Sequence, residues 1–356
     1  MPPSPLAPTF PPDRFPLDRR TLLRHLAALA PVAAGLATSR RAAAATETLT
    51  LYSAQHSQVV KMLTTAFTTE TGIAVQVHSG EGPEIADQIL REGSSSPADV
   101  VFVENSPELV LLAEHNLLAP VAAATLAMVP RQDSGTDGRW LGVLARQNVL
   151  AWNPSLINEQ DLPPSLLDLA LPAWKGKVAI APSDADFLPL VGAVIHAEGR
   201  DKALAWLKGL KANAKLYDDD EGVVAAVNRG SVATGVINNY YWARLATELG
   251  ANSTHSRIAH FAPGDIGNLI NISGAAVLAS SRHQEAAQRF LAFLVSRPAQ
   301  EMLAKSSVDY EYPLAPGVAP NPMLTPAADL RPPAIAPAAL GDDRESATLL
   351  QEAGLI

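Results

Sequence analysis

The sequence predicts an α/β protein of two lobes, each a sheet flanked by helices, joined by crossover strands. Three observations carry that prediction. The chain has 356 residues, too many for one ordinary core and suited to two of roughly 150 residues each. Strand-like and helix-like segments alternate through its first third, and the alternation resumes later. Two further strand-like stretches, 143–152 and 269–278, sit between these blocks and read as crossovers. A hydrophobic content of 47% against 18% charged is that of a globular chain.

The elements follow in order. Leu49 and Leu51 alternate with Thr48 and Thr50, the period of a half-buried strand. Val59, Leu63, Ala66 and Phe67 share one helical face, and Gly72 ends that helix. Ile73, Val75 and Val77 alternate as a second strand, and 85–92 reads as a helix stopped by Gly93. Residues 99–103 form a continuous apolar run, as in a strand buried on both faces. Ser106 is placed to cap the next helix, which ends near Asn116. Strand–helix repetition of this kind implies a parallel sheet covered on both faces. In the second block, 177–181 and 232–237 read as strands, and 202–211 and 223–229 as helices, the last ended by Gly230. The chain is then helical to about Lys305, proline-rich over 312–337 as an ordered surface wrap, and helical again near 345–353.

Residues 1–45 read as a cleaved export signal. A basic stretch with Arg19-Arg20 precedes an apolar run over 26–37, and small residues at 42–45 offer a cleavage site. The arginine pair points to the twin-arginine route, and the apolar run is too short to span a membrane. Removing these residues takes the formal charge from −9 to −13. So acidic a chain repels nucleic acid and anionic lipid and tolerates a cationic ligand. The absence of cysteine excludes disulfides, iron–sulfur clusters, thiolate zinc sites, a cysteine nucleophile and a lipidated cysteine anchor. There is no phosphate-binding glycine loop and no internal repeat.

In an open parallel sheet, ligands bind beyond the carboxyl ends of the strands. His56 follows the first strand closely, Glu104 follows the run 99–103, and Asn238-Asn239-Tyr240-Tyr241 follow the strand 232–237. Each has an ordinary alternative: a capping or surface histidine, a solvated glutamate, aromatics packed at a helix start. Together they place one imidazole, one carboxylate and two phenols at strand ends shared between two blocks. Such oxygen donors suit a hard cation, and imidazole is acceptable to iron. Two phenolates and a carboxylate supply three negative charges, which matches ferric iron better than a divalent ion.

Seven stretches stand out together: Tyr52-Ser53-Ala54-Gln55-His56, Asp99 leading to Glu104, Trp174-Lys175-Gly176-Lys177, Ala205-Trp206-Leu207-Lys208-Gly209-Leu210, Ile237 through Trp242, Ser273-Gly274-Ala275-Ala276 and Glu311-Tyr312-Pro313-Leu314. In order and spacing they resemble the periplasmic ferric-ion-binding proteins, or bacterial transferrins. The similarity runs over 47–356, and the tyrosine pair with its two asparagines is its most specific part. The resemblance implies a two-lobed, type II periplasmic-binding-protein fold with metal ligands His56, Glu104, Tyr240 and Tyr241. It also implies a small synergistic anion, held by a Ser-Gly-Ala turn and two asparagines. Here that turn reads Asp184-Ala185-Asp186, one asparagine position falls on Asp220, and only Asn238 matches. Carboxylates repel an anion, an effect Arg146 offsets in part. The departure leaves two readings open: the anion is absent, with water or an aspartate in its place and Asp184 or Asp186 neutralising or coordinating the metal, or a different ligand is bound.

The expected organisation is an export signal over 1–45, an N-lobe of 46–147 and 271–320, and a C-lobe of 148–270 and 321–356. The expected role is capture of ferric iron, free or chelated, in the periplasm by a monomer that delivers it to an inner-membrane ABC permease, with no catalysis. The alternative keeps the fold and binds an organic ligand such as a polyamine, thiamine or phosphonate. A mononuclear iron enzyme is disfavoured, because its facial triad needs a second histidine and only His56 lies at a strand end.

Overall fold

The computed structural model describes residues 47–356; the export signal expected over 1–45 lies outside the described residues. The opening alternation folds as β1 (Thr48–Ala54), α1 (Ser57–Thr71), β2 (Ala74–Ser79), α2 (Gly82–Glu92), β3 (Val100–Val103) and α3 (Ser106–Glu114). Helix α1 buries Val59, Leu63 and Phe67 and stops where Gly72 turns left-handed at φ 74°, a conformation costly for a residue with a Cβ. The strands lie in the order β2-β1-β3, all parallel. All four residues of β3 are buried, as its unbroken apolar run requires. One local expectation fails: Ser106 is the first helical residue of α3, and Asn105 occupies the cap position without a side-chain capping bond. Pro107 fills the first turn instead, where a missing N–H costs nothing.

After the short α4 (Ala123–Leu126) comes β4 (Leu141–Trp152), with every residue buried. This strand is shared by two halves of one ten-stranded sheet ordered β2-β1-β3-β9 (Ile270–Val277)-β4-β7 (Thr234–Asn238)-β5 (Val178–Ile180)-β6 (Lys215–Leu216), with β8 (Arg257–Ala259) and β10 (Tyr312–Pro313) also paired to β4. Residues 141–147 of β4 pair antiparallel with β9 (Ile270–Val277), whereas 148–152 pair with β7 (Thr234–Asn238) and in part with β8 (Arg257–Ala259). The change falls between Gln147, opposite Ile270, and Asn148, opposite Asn238.

The second half holds β5 (Val178–Ile180), α5 (Phe187–Glu198), α6 (Arg200–Asn213), β6 (Lys215–Leu216), α7 (Asp220–Asn228), β7 and α8 (Asn239–Leu249). β5 pairs parallel with β6 and β7. The chain returns through β9 to α9 (Gln284–Leu294), α10 (Arg297–Ala304) and β10 (Tyr312–Pro313), which pairs with β4. The proline-rich stretch leads to α11 (Arg344–Ala353), which packs on α5 and α6. The buried side chains form four groups, of which two are the largest. Leu49, Leu63, Phe67, Phe102 and Phe290 belong to one; Leu190, Trp206, Leu207 and Val236 belong to another. Among the described residues, no helix is long and apolar enough to cross a membrane.

Candidate functional site

The residues singled out at strand ends converge. β1 ends at Ala54, and His56 stands at the mouth of α1, where it has no capping bond of its own. β3 ends one residue before Glu104, and β7 delivers Asn238 directly into α8, whose first residues are Asn239, Tyr240 and Tyr241. The His56 Nδ1 lies 3.3 Å from the Glu104 carboxylate. The His56 ring meets Tyr240 edge-on with centroids 4.9 Å apart, and the two tyrosine rings lie 4.2 Å apart. One imidazole and one carboxylate from the first half thus face two phenols from the second. They border a cleft of about 830 Å³ whose walls include His56, Glu104, Asp184, Asp186, Tyr241 and Arg244. Tyr240 is only 1% exposed and lies behind that wall.

Asp186 occupies the centre of the group. Its Oδ2 accepts the Tyr240 hydroxyl at 2.6 Å and the Tyr241 hydroxyl at 3.4 Å, and its Oδ1 pairs with Arg146 Nη2 at 3.0 Å. Arg146, on β4, is fully buried; it also donates to the Glu104 carbonyl, to Asn105 Oδ1 and, at 3.1 Å, to Ser273 Oγ. Asp184 accepts the backbone N–H groups of Asp186 at 3.0 Å and Asp220 at 3.1 Å, so its carboxylate shapes the turn. Asp220 accepts the Asn238 N–H at 3.0 Å and is buried behind that turn. The Asn238 side chain lies beside Asp186 with both polar atoms buried and without a hydrogen bond of normal geometry.

The electrostatics follow from burial. Burial, reinforced by the Arg244 charge, lowers the His56 pKa to about 4, so its imidazole is neutral at neutral pH. Burial and the nearby Asp186 charge push Glu104, Tyr240 and Tyr241 well above their ordinary values. Asp184 is raised to about 6 by burial and by Asp186. For Asp186 burial acts upward too, but the Arg146 guanidinium and the Tyr240 hydroxyl outweigh it and hold the carboxylate ionised. The site therefore holds protons on the groups that would carry negative charge toward a cation. The Tyr240–Asp186 hydrogen bond holds one such proton where a cation could replace it.

Among the described residues, no three histidine, aspartate or glutamate side chains are arranged to hold a metal by themselves. The phenols of Tyr240 and Tyr241 add further oxygen atoms beside these side chains, and oxygen donors are the kind that hard cations prefer. Three contributors escaped the sequence reading. Glu311 accepts Ser273 Oγ at 2.6 Å and Gln55 Nε2 at 3.1 Å, and lies 3.8 Å from Arg146. Gln55 Oε1 in turn accepts the His56 N–H at 2.7 Å. Arg244 lies 5.5 and 5.8 Å from the centroids of the two tyrosine rings and pairs with Glu221. Arg244 lies four positions after Tyr240, so a helix starting at Asn239 puts the two on one face and would have disclosed it. A second cavity, about 640 Å³, opens beside β9 and β10 among prolines of the tail and gathers no comparable set of ionisable groups.

A two-lobed solute-binding fold with a polar cleft at its strand ends is the class these features define. The chain belongs to the bacterial extracellular solute-binding proteins, and the match to that family spans residues 62–332. It is 41% identical to the Fe(3+)-binding periplasmic protein of Serratia marcescens, over 90% of this chain and 94% of that one. It is 37% identical to the major ferric iron-binding protein of a serogroup A Neisseria meningitidis, over 86% and 93% of the two chains. Among solved structures it resembles iron-bound HitA from Pseudomonas aeruginosa with a TM-score of 0.82 and 42% identity, covering 86% of this chain and 99% of that one. It also resembles Trichodesmium FutA in complex with iron and citrate, with a TM-score of 0.76 and 28% identity over 86% and 99% of the two chains.

Proposed function

We propose that this protein captures ferric iron in the cleft between its halves and delivers it to an inner-membrane ABC permease. The single observation that carries the reading is the meeting of His56 and Glu104 from one half with Tyr240 and Tyr241 from the other, around Asp186. His56 offers a neutral nitrogen. Glu104 and the two phenols each exchange a proton for the ion, supplying three negative charges to a trivalent cation. Asp186 stands among them as a fixed carboxylate in the place of an external anion, with Arg146 holding it and Asp184, Asp220 and Asn238 framing its turn. Relatives named for ferric iron favour this cargo over an organic one.

The same proposal extends to organisation. Residues 46–147 with 271–320, and 148–270 with 321–356, act as lobes that hinge where β4 changes partners. Ligands contributed from both lobes give the ion a higher affinity for the closed state, which is what closure by binding requires. Residues 1–45 direct export by the twin-arginine route to the periplasm, where the protein works as a monomer. Amino-terminal sequencing of the exported form tests the cleavage near Ala44 or Ala45.

The test of the function is iron retained after desalting. One ion per chain is expected for the parent, and much less for Tyr240→Phe or Tyr241→Phe at equal protein concentration. Parent and variants retaining equal iron would refute the ligand assignment.

A further inference from the structure

We infer that Asn239 is a positioning residue that ties the tyrosine pair to the hinge strand, so that the phenol oxygens are held in place by the same contacts that set the angle between the halves. The inference rests on the ferric-binding reading above. Asn239 is only 2% exposed and is the first residue of α8, immediately before Tyr240 and Tyr241. Both ends of its side chain serve backbone groups of other segments: Oδ1 accepts the Gln147 N–H at 2.7 Å, and Nδ2 donates to the Tyr310 carbonyl at 3.0 Å.

Both partners sit where movement between the halves would be felt. Gln147 is the last β4 residue paired with β9, and its neighbour Asn148 is the first paired with β7. The amide therefore grips β4 at the point where the strand passes between the two parts of the sheet. Tyr310 precedes Glu311, the carboxylate that accepts Gln55 Nε2, and Gln55 in turn accepts the His56 N–H. One side chain thus links the helix bearing both phenols, the hinge backbone, and the segment that steadies the His56 loop. A carboxamide presents a donor and an acceptor on opposite arms with no charge to bury. Aspartate would keep the acceptor toward Gln147 and oppose the Tyr310 carbonyl. Leucine would leave both backbone groups buried and unpaired.

A merely structural amide makes a different prediction, and the molecule contains one for comparison. Asn228, at the end of α7, is also buried; its Oδ1 accepts the His255 and Ser256 N–H groups at 2.7 and 2.9 Å, and its Nδ2 donates to the Ser253 carbonyl at 3.1 Å. None of these partners belongs to the site or to β4.

The experiment compares Asn239→Asp, Asn239→Leu and Asn228→Leu with the parent. It measures the rate of iron loss to excess chelator, the wavelength of the phenolate-to-iron absorption band, and the thermal midpoint of the metal-free protein. Both Asn239 variants should release iron faster by about tenfold or more, the size of effect typical when a metal ligand loses its supporting contact, with a shifted band. Asn228→Leu should lower the midpoint while leaving release rate and band at parent values. Asn239 variants with parental release and band would overturn the inference, as would equal acceleration by Asn228→Leu. If Asn239→Leu fails to fold, Asn239→Asp, which retains the bond to Gln147, decides the matter. A parent with no such band would instead refute the ferric-binding reading itself.

Discussion

Replacing Asp186 by asparagine measures how much of the cleft's cation affinity comes from the carboxylate at its centre. The substitution keeps the side chain's shape and one acceptor oxygen but removes its charge. In the metal-free protein, Arg146 would lose its 3.0 Å ionic partner and keep Glu311 at 3.8 Å together with neutral acceptors. Removing one member of a buried ion pair costs about 3–5 kcal/mol, and the remaining partners favour the lower end. The thermal midpoint should therefore fall by on the order of 10 °C. For the cation, a unit charge about 4 Å away at an effective dielectric of about 20 is worth roughly 4 kcal/mol for each unit of charge on the ion. For a trivalent ion that is about 12 kcal/mol, but the protons displaced from Glu104, Tyr240 and Tyr241 carry away positive charge that Asp186 also favours and offset most of it, so a net loss of roughly 4 kcal/mol, or about 1,000-fold in affinity, is expected. Competition against citrate gives the affinity, and thermal unfolding of the metal-free variant gives the stability. A variant with the lower midpoint but affinity within about threefold of the parent, well under 1 kcal/mol, would show Asp186 to be only a counter-ion for Arg146 and refute the reasoning.

Other consequences follow from the same geometry. Burial and Asp186 keep Tyr240, Tyr241 and Glu104 protonated above their ordinary ranges in the metal-free site. The bound state must shed these three protons, so affinity should fall as pH falls, by about tenfold per pH unit for each proton and about 1,000-fold for all three; chelator competition between pH 6 and 8 measures it, and a flat profile contradicts it. Tyr52→Phe should leave iron affinity unchanged, because the Tyr52 hydroxyl donates to Glu92 at 3.0 Å and accepts from Gln88 at 3.2 Å away from the tyrosine pair; denaturant unfolding should register a loss of about 1 kcal/mol. Gly142→Ala should destabilise by about 1–3 kcal/mol, since a Cβ there would collide with the Asp133 carbonyl and approach Leu314 Cδ1 to 2.8 Å. An unchanged unfolding midpoint for Gly142→Ala would contradict that packing.

Much of this arrangement is legible from local pattern. The period-two run at Leu49 and Leu51, the helical face of Val59, Leu63 and Phe67, and the stop at Gly72 give β1 and α1 almost to the residue. The strand ends they define put His56 and Glu104 on the list of site residues. Helix α5 is less legible. Its sequence is apolar on nearly every side because it is covered by α6, α11 and the turn at Pro337–Leu340, so no amphipathic period marks it. Pro189 adds to the disguise, although it sits in the first turn, where a missing N–H is tolerated. The cap at α3 fails for a similar reason: with Pro107 in the first turn, the helix begins at Ser106 without using its hydroxyl.

The site shows the same division. Residues that follow strands directly are readable, because topology alone brings strand ends together. Glu311 and Ser273 are not, and neither is the role of Gln55 although it follows β1 directly, because their bond network depends on where β10 and β9 lie relative to β1, over separations of up to 256 residues. The acidic turn is readable as chemistry, but the choice of Asp186 over Asp184 as its central carboxylate required the Tyr240 contact at 2.6 Å.

The most direct test of the account is a visible absorption spectrum of the purified protein titrated with ferric citrate. The account predicts a broad phenolate-to-iron charge-transfer band that saturates at one ion per chain and is lost in Tyr241→Phe. No band, and no protection from thermal unfolding by iron, would contradict it.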